Sequence, residues 1–217
     1  MIHLLASTLI AIAGGGPQRV LVYSFSVGIY NRSVDASMGE HSNVVRHSDS
    51  DVGTITITAV GLEADGGLVV NVAEEARTNR SVAPATCVVY SNTNVVCGSS
   101  VVTPEETGIL RSLNPKFLDP TALDAKGHWH LAPGGGVTID YTATTSASDL
   151  AIAGVRDEGS AQGTVHSEMT YTYDPAKLVT TKVHEYETIR QTAGTTGGTT
   201  TIEVDGTLQS DSLSSGS

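Results

Sequence analysis

Gly163-Thr-Val-His-Ser-Glu-Met-Thr-Tyr-Thr-Tyr173 begins the stretch that decides the fold. It leads through Asp174-Pro175-Ala176-Lys177 into a second run, Leu178 to Gln191. Apolar and polar residues alternate through much of both runs, which is the period-2 pattern of a β-strand with one buried face. Pro175 and its neighbours have the chemistry of a turn. Because so short a connection can join only antiparallel strands, the stretch predicts a long, curved antiparallel hairpin.

Comparable runs recur along most of the chain. They are Arg19 to Tyr30, Gly53 to Val60, Leu68 to Ala73, Val137 to Thr144, Leu150 to Val155 and Thr199 to Leu208, with Val44-Val45 as a shorter candidate. Turn residues separate them, including Gly134-Gly135-Gly136 and Arg156-Asp157-Glu158-Gly159. Consecutive strands joined by short turns form a meander. We therefore predict an all-β, antiparallel meander of about 9–11 strands, forming a half-open barrel or a sandwich.

The two cysteines of the chain enclose a near-palindrome, Cys87-Val-Val-Tyr-Ser-Asn-Thr-Asn-Val-Val-Cys97. A three-residue loop centred on Asn92 predicts a hairpin with Cys87 opposite Cys97, Val88 opposite Val96 and Val89 opposite Val95. Opposed residues of antiparallel strands lie at a separation that a disulfide can span, so we predict this disulfide. Two buried free thiols are the alternative. The spacing does not fit a structural zinc site.

One short α-helix is predicted near residues 104 to 113. Thr103 can cap it, Pro104 suits its first position, and Glu106 completes a capping box. Asn114-Pro115 should end it. So short a helix needs tertiary support, so we expect it to dock on the sheet as a lid over one end.

Composition limits the classes of function. The 217 residues carry a formal charge of -11, with a pI near 4.9, and include 22 Ser and 27 Thr. Strong acidity argues against nucleic acid and against anionic membranes, both of which attract basic proteins. The many hydroxyls suit strands with solvent-exposed outer faces.

Residues 1–13 predict a signal peptide. Leu4 to Ala13 is a ten-residue apolar run that ends in Ala11-Ile12-Ala13, and it is too short to span a bilayer. The segment before it lacks Lys and Arg, so either the start codon lies further upstream or the run is an edge strand of the fold. We predict export to the bacterial periplasm or the extracellular space, a single β-rich domain over residues 14–209, and a disordered tail over 210–217.

Motifs of the common enzyme classes are missing, including the P-loop, the G-x-S-x-G elbow and H-E-x-x-H. No enzyme activity and no cofactor are predicted. His128 and His130 share a face of an extended segment and are candidate metal ligands. Asp49 and Asp51 are candidate calcium ligands, although the spacing of an EF-hand fails. Structural alternatives are histidines that flank a buried Trp129, and an acidic turn before a strand.

The long hairpin suggests a titratable cluster. A loop of Pro175-Ala176-Lys177 would place Glu168 opposite His184 and His166 opposite Tyr186. A carboxylate beside a histidine raises the histidine pKa. Exposed cross-strand pairs without any catalytic role are the alternative.

Two hypotheses for function follow. The first is a non-enzymatic domain that binds a lipid or another apolar or amphipathic ligand in a concave sheet beneath the helix. The second is a structural or surface module with a filled core that binds an unknown protein partner. The stretch Tyr173-Asp-Pro-Ala-Lys-Leu-Val179 resembles hairpin turns of bacterial periplasmic lipoprotein carriers, over seven residues that contain no functional motif.

Overall fold

The computed structural model describes residues 18–35, 43–78, 82–98, 102–113, 127–146, 148–193 and 196–213. Most of them form one antiparallel sheet. Its eleven strands are β1 Val20–Asp35, β2 Asn43–Leu62, β3 Leu68–Ala76, β4 Ala85–Val89, β5 Val95–Cys97, β6 His128–Gly134, β7 Val137–Ser146, β8 Asp149–Ser160, β9 Gly163–Asp174, β10 Val179–Ala193 and β11 Thr196–Asp211.

The sheet follows the order β5-β4-β3-β2-β1-β11-β10-β9-β8-β7-β6. Consecutive strands are neighbours except β5 and β6, which form the two edges, and β1 pairs with β11. The all-β meander prediction is confirmed. The strands form a single sheet that does not close into a barrel, so the described residues do not form the two-sheet sandwich that was the alternative.

Contacts between strands that are not neighbours show that the sheet curls. The Tyr23 hydroxyl of β1 donates a hydrogen bond to the Thr180 carbonyl of β10 at 2.6 Å, although β11 lies between these strands. Arg19 donates to the carbonyls of Lys177 and Leu178 at 2.7 and 3.2 Å. We call the concave side, which carries Tyr23, the inner face, and the opposite side the outer face.

Alternation along each strand places the core on the inner face. Burying one aliphatic or aromatic side chain stabilises by about 1.5–3 kcal/mol, so this face supplies most of the folding energy. Its buried apolar residues include Leu21, Tyr23, Phe25, Val27, Ile55, Ile57, Val70, Val72, Ile139, Tyr141, Met169, Tyr171 and Val183.

Helix α1, Pro104–Arg111, occupies the concave side of the sheet. Its capping box is formed as predicted, with the Glu106 amide donating to Thr103 Oγ1 and the Thr103 amide donating to Glu106 Oε2. Ile109 and Leu110 are fully buried, and the helix packs against β1, β5, β10 and β11. It ends two residues earlier than predicted, and Asn114-Pro115 lie outside the described residues.

The cysteine hairpin has the predicted register. Cys87 pairs with Cys97, Val88 with Val96 and Val89 with Val95, and the two cysteines form a disulfide. Thr93 has a φ of 65° in the loop, a left-handed conformation that three-residue hairpin loops require. Cys87 is fully buried on the inner face, so the disulfide clamps an edge of the core.

The C-terminal end differs from the prediction. Strand β11 continues through Asp211, two residues beyond the predicted boundary at 209. Arg19 forms a buried ion pair with Asp211 at 2.7 Å. Burial alone would raise the pKa of Asp211, but the Arg19 guanidinium and the Leu213 amide lower it below its usual value. Residues 214–217, like the predicted signal peptide over 1–13, lie outside the described residues.

Two local predictions were wrong. Val44-Val45 and Gly53 to Val60 belong to one strand, β2, so Asp49 and Asp51 lie within a strand and not in an acidic turn. Arg156 to Gly159 lie inside β8, because the long β8/β9 hairpin continues to the Ser160↔Gly163 pair. The predicted glycine turn does connect β6 with β7, with Gly134, Gly135 and Gly136 at φ values of 100°, 64° and 78°.

Candidate functional site

A buried ion cluster lies between α1 and the inner face. Arg111, at the end of the helix, contacts Glu185 and also Glu187, the latter at 3.3 Å. Ser167 of β9 donates to Glu187 Oε2 at 3.0 Å. A Cβ atom on Gly108 would lie 3.1 Å from Glu185 Oε2, so the glycine allows the helix to sit directly over this carboxylate.

Burial determines the pKa shift of Glu185 in this cluster, but not that of Arg111. Burial raises the pKa of Glu185, and Arg111 offsets that effect only in part. The neighbouring carboxylates raise the pKa of Arg111 despite its burial, so the guanidinium remains charged. The residues of the cluster together supply one cation, two carboxylates and a hydroxyl in a region that water hardly reaches. This arrangement can hold α1 on the sheet.

An apolar crevice lies at the C-terminal end of α1. Its lining includes Leu21, Ile57, Leu68, Val70, Leu113, Tyr173, Leu178 and Val179, together with Arg19. The cavity measures about 30 Å³, which is room for about one water molecule. Sites for drug-sized ligands occupy about 300–1,000 Å³. This crevice is therefore largely filled by the protein's own side chains.

Three histidines of the outer face each contact a carboxylate on a neighbouring strand. The Nδ1–Oδ1 distances are 2.6 Å for His130 with Asp140, 2.7 Å for His166 with Asp157 and 2.9 Å for His184 with Asp205. All three histidine side chains are 43–57% exposed. The hydrogen bond with Asp157 is the main reason that the pKa of His166 is raised.

The predicted cluster of His166, Glu168 and His184 is divided between two places. His166 Nε2 lies 3.5 Å from Glu168, whereas His184 contacts Asp205 of β11. The predicted pairings were wrong: Glu168 lies opposite Tyr186, His166 opposite Thr188 and His184 opposite Thr170. A longer turn, with Leu178 at a φ of 53°, and a bulge between Thr180 and Lys182 shift the register.

The four candidate metal ligands are distributed over two strands. His128 and His130 share a face of the edge strand β6, where their partners are Thr142 and Asp140. Asp49 and Asp51 lie on β2, and the Thr78 hydroxyl donates to Asp51. Within the described ranges, a convergent group of three possible ligands is formed instead by His184, Glu203 and Asp205.

A depression on the outer face collects three arginines, and we call it the arginine depression. Arg46 lies directly opposite Arg32 on β1 and β2. Arg32 and Arg190 both pair with Thr199 of β11, from its two sides. Its described lining, Tyr30, Asn31, Arg32, Arg46, His47, Ser48, Arg190, Thr199 and Thr201, contains no carboxylate. Three of the eight arginines in an acidic chain therefore meet at one place.

Sequence reasoning missed both the arginine depression and the His184 group. Each depends on the pairing of β11 with β1 or β10, and the β1/β11 partners are separated by well over a hundred residues. The sequence did carry one signal for the His184 group, which is the alternation along β11. Glu203 and Asp205 alternate with the apolar Ile202 and Val204, so the two carboxylates must share the outer face.

Comparison of the chain with protein-family models finds no match, and comparison with curated proteins finds no significant match. Among the described residues, no helix combines the length and apolar character needed to cross a membrane.

Proposed function

We propose that this protein is a non-enzymatic surface-interaction module that recognises an acidic protein segment through the arginine depression. The observation that carries this proposal is the convergence of Arg32, Arg46 and Arg190 without a carboxylate among the described lining residues. All three arginines are exposed. Like charges directly opposite each other on neighbouring strands are destabilising, so the Arg32–Arg46 pair has a local cost that a bound anion would remove.

The chemistry of arginine favours carboxylate ligands. Each guanidinium offers a planar fork of donors that can pair with both oxygens of a carboxylate. Tyr30, which is 53% exposed, adds an aromatic surface beside the arginines. The depression therefore offers several charged donors and one apolar contact, a combination suited to a short acidic peptide.

The net charge of -11 does not prevent this recognition. Glu203 of β11 lies two residues from Thr201 of the lining, which corresponds to about 7 Å along a strand. At physiological ionic strength, interactions between exposed charges are screened beyond about 8 Å. The three arginines line the depression itself and therefore act on a bound ligand at the shortest range, whereas Asp157, Glu158 and Glu203 lie around it and weaken its positive field.

Fluorescence anisotropy with a labelled poly-glutamate peptide tests the proposal. We expect saturable binding by the full chain that weakens in each of Arg32→Gln, Arg46→Gln and Arg190→Gln. Arg77→Gln removes an exposed arginine outside the depression and should leave the affinity unchanged. Equal loss in all four variants, or no binding, would contradict the proposal. Tight binding of a sulfated polysaccharide without binding of the peptide would contradict the class of partner.

A second candidate function is binding of an apolar or amphipathic ligand in the crevice beside α1. Its support is the apolar lining around Leu68, Leu113 and Val179. A ligand larger than one water would have to displace these side chains. A dye-displacement assay tests this function. Saturable displacement of an apolar dye by a fatty acid or lipopeptide would support it if the displacement is lost in Val179→Asp. The absence of displacement would contradict it and favour the surface-interaction module.

Export is also part of the proposal. It is supported by the Cys87–Cys97 disulfide, since structural disulfides persist in oxidising compartments, and by the apolar run from Leu4 to Ala13. Secreted material should begin after Ala13 in N-terminal sequencing, and an intact Met1 would contradict cleavage of a signal peptide.

A further inference from the structure

We propose that His184, Glu203 and Asp205 form a site for a divalent transition-metal ion, with Zn²⁺ as the best match. One ring nitrogen of His184 and one carboxylate oxygen from each acidic residue all lie within 4.8 Å of one another. Ligand atoms around a tetrahedral zinc ion lie about 3.4 Å apart, given metal–ligand distances near 2.1 Å. Small rotations of these side chains, which are half-buried at His184 and Glu203 and exposed at Asp205, would close the difference. This site does not depend on the proposed acidic partner.

The register of β10 and β11 builds the group. His184 lies directly opposite Asp205, and Glu203 precedes Asp205 by two residues, which places both carboxylates on the outer face. Beyond β11, Glu203 lies opposite Gly28 of β1, where the Tyr30 ring lies beside the position that a Cβ atom would take. The depression beside the two carboxylates is further lined by Ser26, Tyr30 and Ser50. An ion can therefore reach the group from solvent.

The other two histidine pairs of the outer face lack this geometry. His166 contacts two carboxylates, but Asp157 lies at Nδ1 and Glu168 at Nε2. These two ring nitrogens point in different directions, so one ion cannot bind both carboxylates and the histidine together. His130 contacts Asp140, and neither residue belongs to the convergent group found among the described residues.

The ligand set selects the class of metal. An imidazole nitrogen with two carboxylate oxygens suits zinc and similar transition metals, whereas Ca²⁺ and Mg²⁺ prefer oxygen ligands alone. Two carboxylates and a neutral histidine supply two negative charges that a divalent cation balances. Lys182 and Arg77 line the two adjoining depressions, and Asp51 adds a further carboxylate to the second of them. Three protein ligands leave a coordination position open, as zinc sites that bind a further ligand do.

Calorimetric titration of the full chain with ZnCl₂ in a buffer that does not bind metal tests the site. We expect one equivalent of Zn²⁺ to bind, and His184→Gln, Glu203→Gln and Asp205→Asn to weaken it by about tenfold or more each. Loss of a residue that only orients a ligand already weakens affinity by about 10–100-fold, so loss of a ligand should cost at least that much. Circular dichroism would show that each variant is folded.

Matched controls are His166→Gln and the double change His128→Gln, His130→Gln, which remove exposed histidines from the same face or from the edge strand. Both should keep the affinity of the unaltered protein. Three outcomes would overturn the proposal: no zinc binding, equal affinity in the His184, Glu203 and Asp205 variants, or a loss confined to a control variant. Equal affinity for Mg²⁺ would overturn the class of metal.

Discussion

His184 and Glu185 are consecutive residues of β10, yet they lie in opposite electrostatic environments. Glu185 points to the inner face, is 3% exposed and pairs with Arg111 of the helix. The His184 side chain points to the outer face, is 43% exposed and pairs with Asp205. The chemistry of the two pairs is similar, so the difference in their energetic roles arises from hydration.

The contrast between these two pairs distinguishes polar groups that stabilise the fold from polar groups that can bind other partners. Removing one partner of a buried ion pair costs about 3–5 kcal/mol, because the other charge is left in a poorly hydrated site. An exposed pair contributes about 0–1 kcal/mol. The buried groups around Arg111 are therefore committed to holding α1, whereas polar groups of the outer face can exchange one partner for another with little cost to the fold.

The largest expected effect comes from Arg111→Met, which leaves Glu185 and Glu187 without their cation. We expect a loss of about 3–5 kcal/mol in the free energy of unfolding, measured by urea denaturation. Asp140→Asn breaks the exposed His130–Asp140 pair and should cost less than about 1 kcal/mol. Similar losses in the two variants would remove the distinction between the faces.

Removal of the disulfide should have the next largest effect. The bond joins residues ten positions apart, and closing so short a loop stabilises by about 2–3 kcal/mol on the chain-entropy model. The double variant Cys87→Ala, Cys97→Ala should lose about this much, and reductant should destabilise the unaltered protein but leave the double variant unchanged. Two free thiols in the native, unreduced protein would refute the bond.

Much of the fold could be predicted because its signals are local. Alternation identified most strands, the capping box identified the start of α1, and the symmetry of apolar residues around Asn92 fixed the register of the cysteine hairpin. In each case the deciding residues lie within about a dozen positions of one another. Such patterns do not depend on how distant segments pair.

Register in the long hairpin could not be read in the same way. A loop of Pro175-Ala176-Lys177 fits the sequence, but Leu178 adopts a left-handed conformation and a bulge follows Thr180. The first lengthens the turn by one residue and the second adds one residue to β10, and together they separate His184 from Glu168. The arginine depression depends on the non-local pairing of β1 with β11, for which local patterns carry no information, whereas the His184 group depends on the register between the consecutive strands β10 and β11.

An intermediate effect is expected at the start of α1. Thr103→Ala removes the cap of the Glu106 amide and the hydrogen bond to Glu74 at 2.8 Å, and loss of such a cap costs about 0.5–2 kcal/mol. Urea denaturation should show this loss. Thr170→Ala, at an exposed outer-face position, should change stability by less than about 0.5 kcal/mol. Equal effects would mean that the capping box does not secure the helix.

The smallest effect is expected at His166, where the outer-face pair should change a pKa and hardly change stability. The Asp157 hydrogen bond raises the pKa of His166, burial opposes this rise, and Glu168 adds to it. Asp157→Asn should therefore lower this pKa toward its usual value of about 6.5. NMR titration of the imidazole measures the change. Asp140→Asn is the matched control and should leave the pKa of His166 unchanged.

The sign of the pH dependence follows from the same shift. The pKa of His166 is higher in the folded state than in the unfolded state. Its pair with Asp157 therefore stabilises the fold fully below the unfolded pKa of about 6.5, and this contribution disappears as the pH rises through the folded pKa. Asp157→Asn should flatten that part of the stability profile and leave the rest unchanged. If Asp157→Asn leaves the pKa of His166 unchanged, the His166–Asp157 pair is not formed in solution. The exposed charges of the outer face would then contribute nothing through pairing, and the contrast with the buried Arg111–Glu185 pair would be complete.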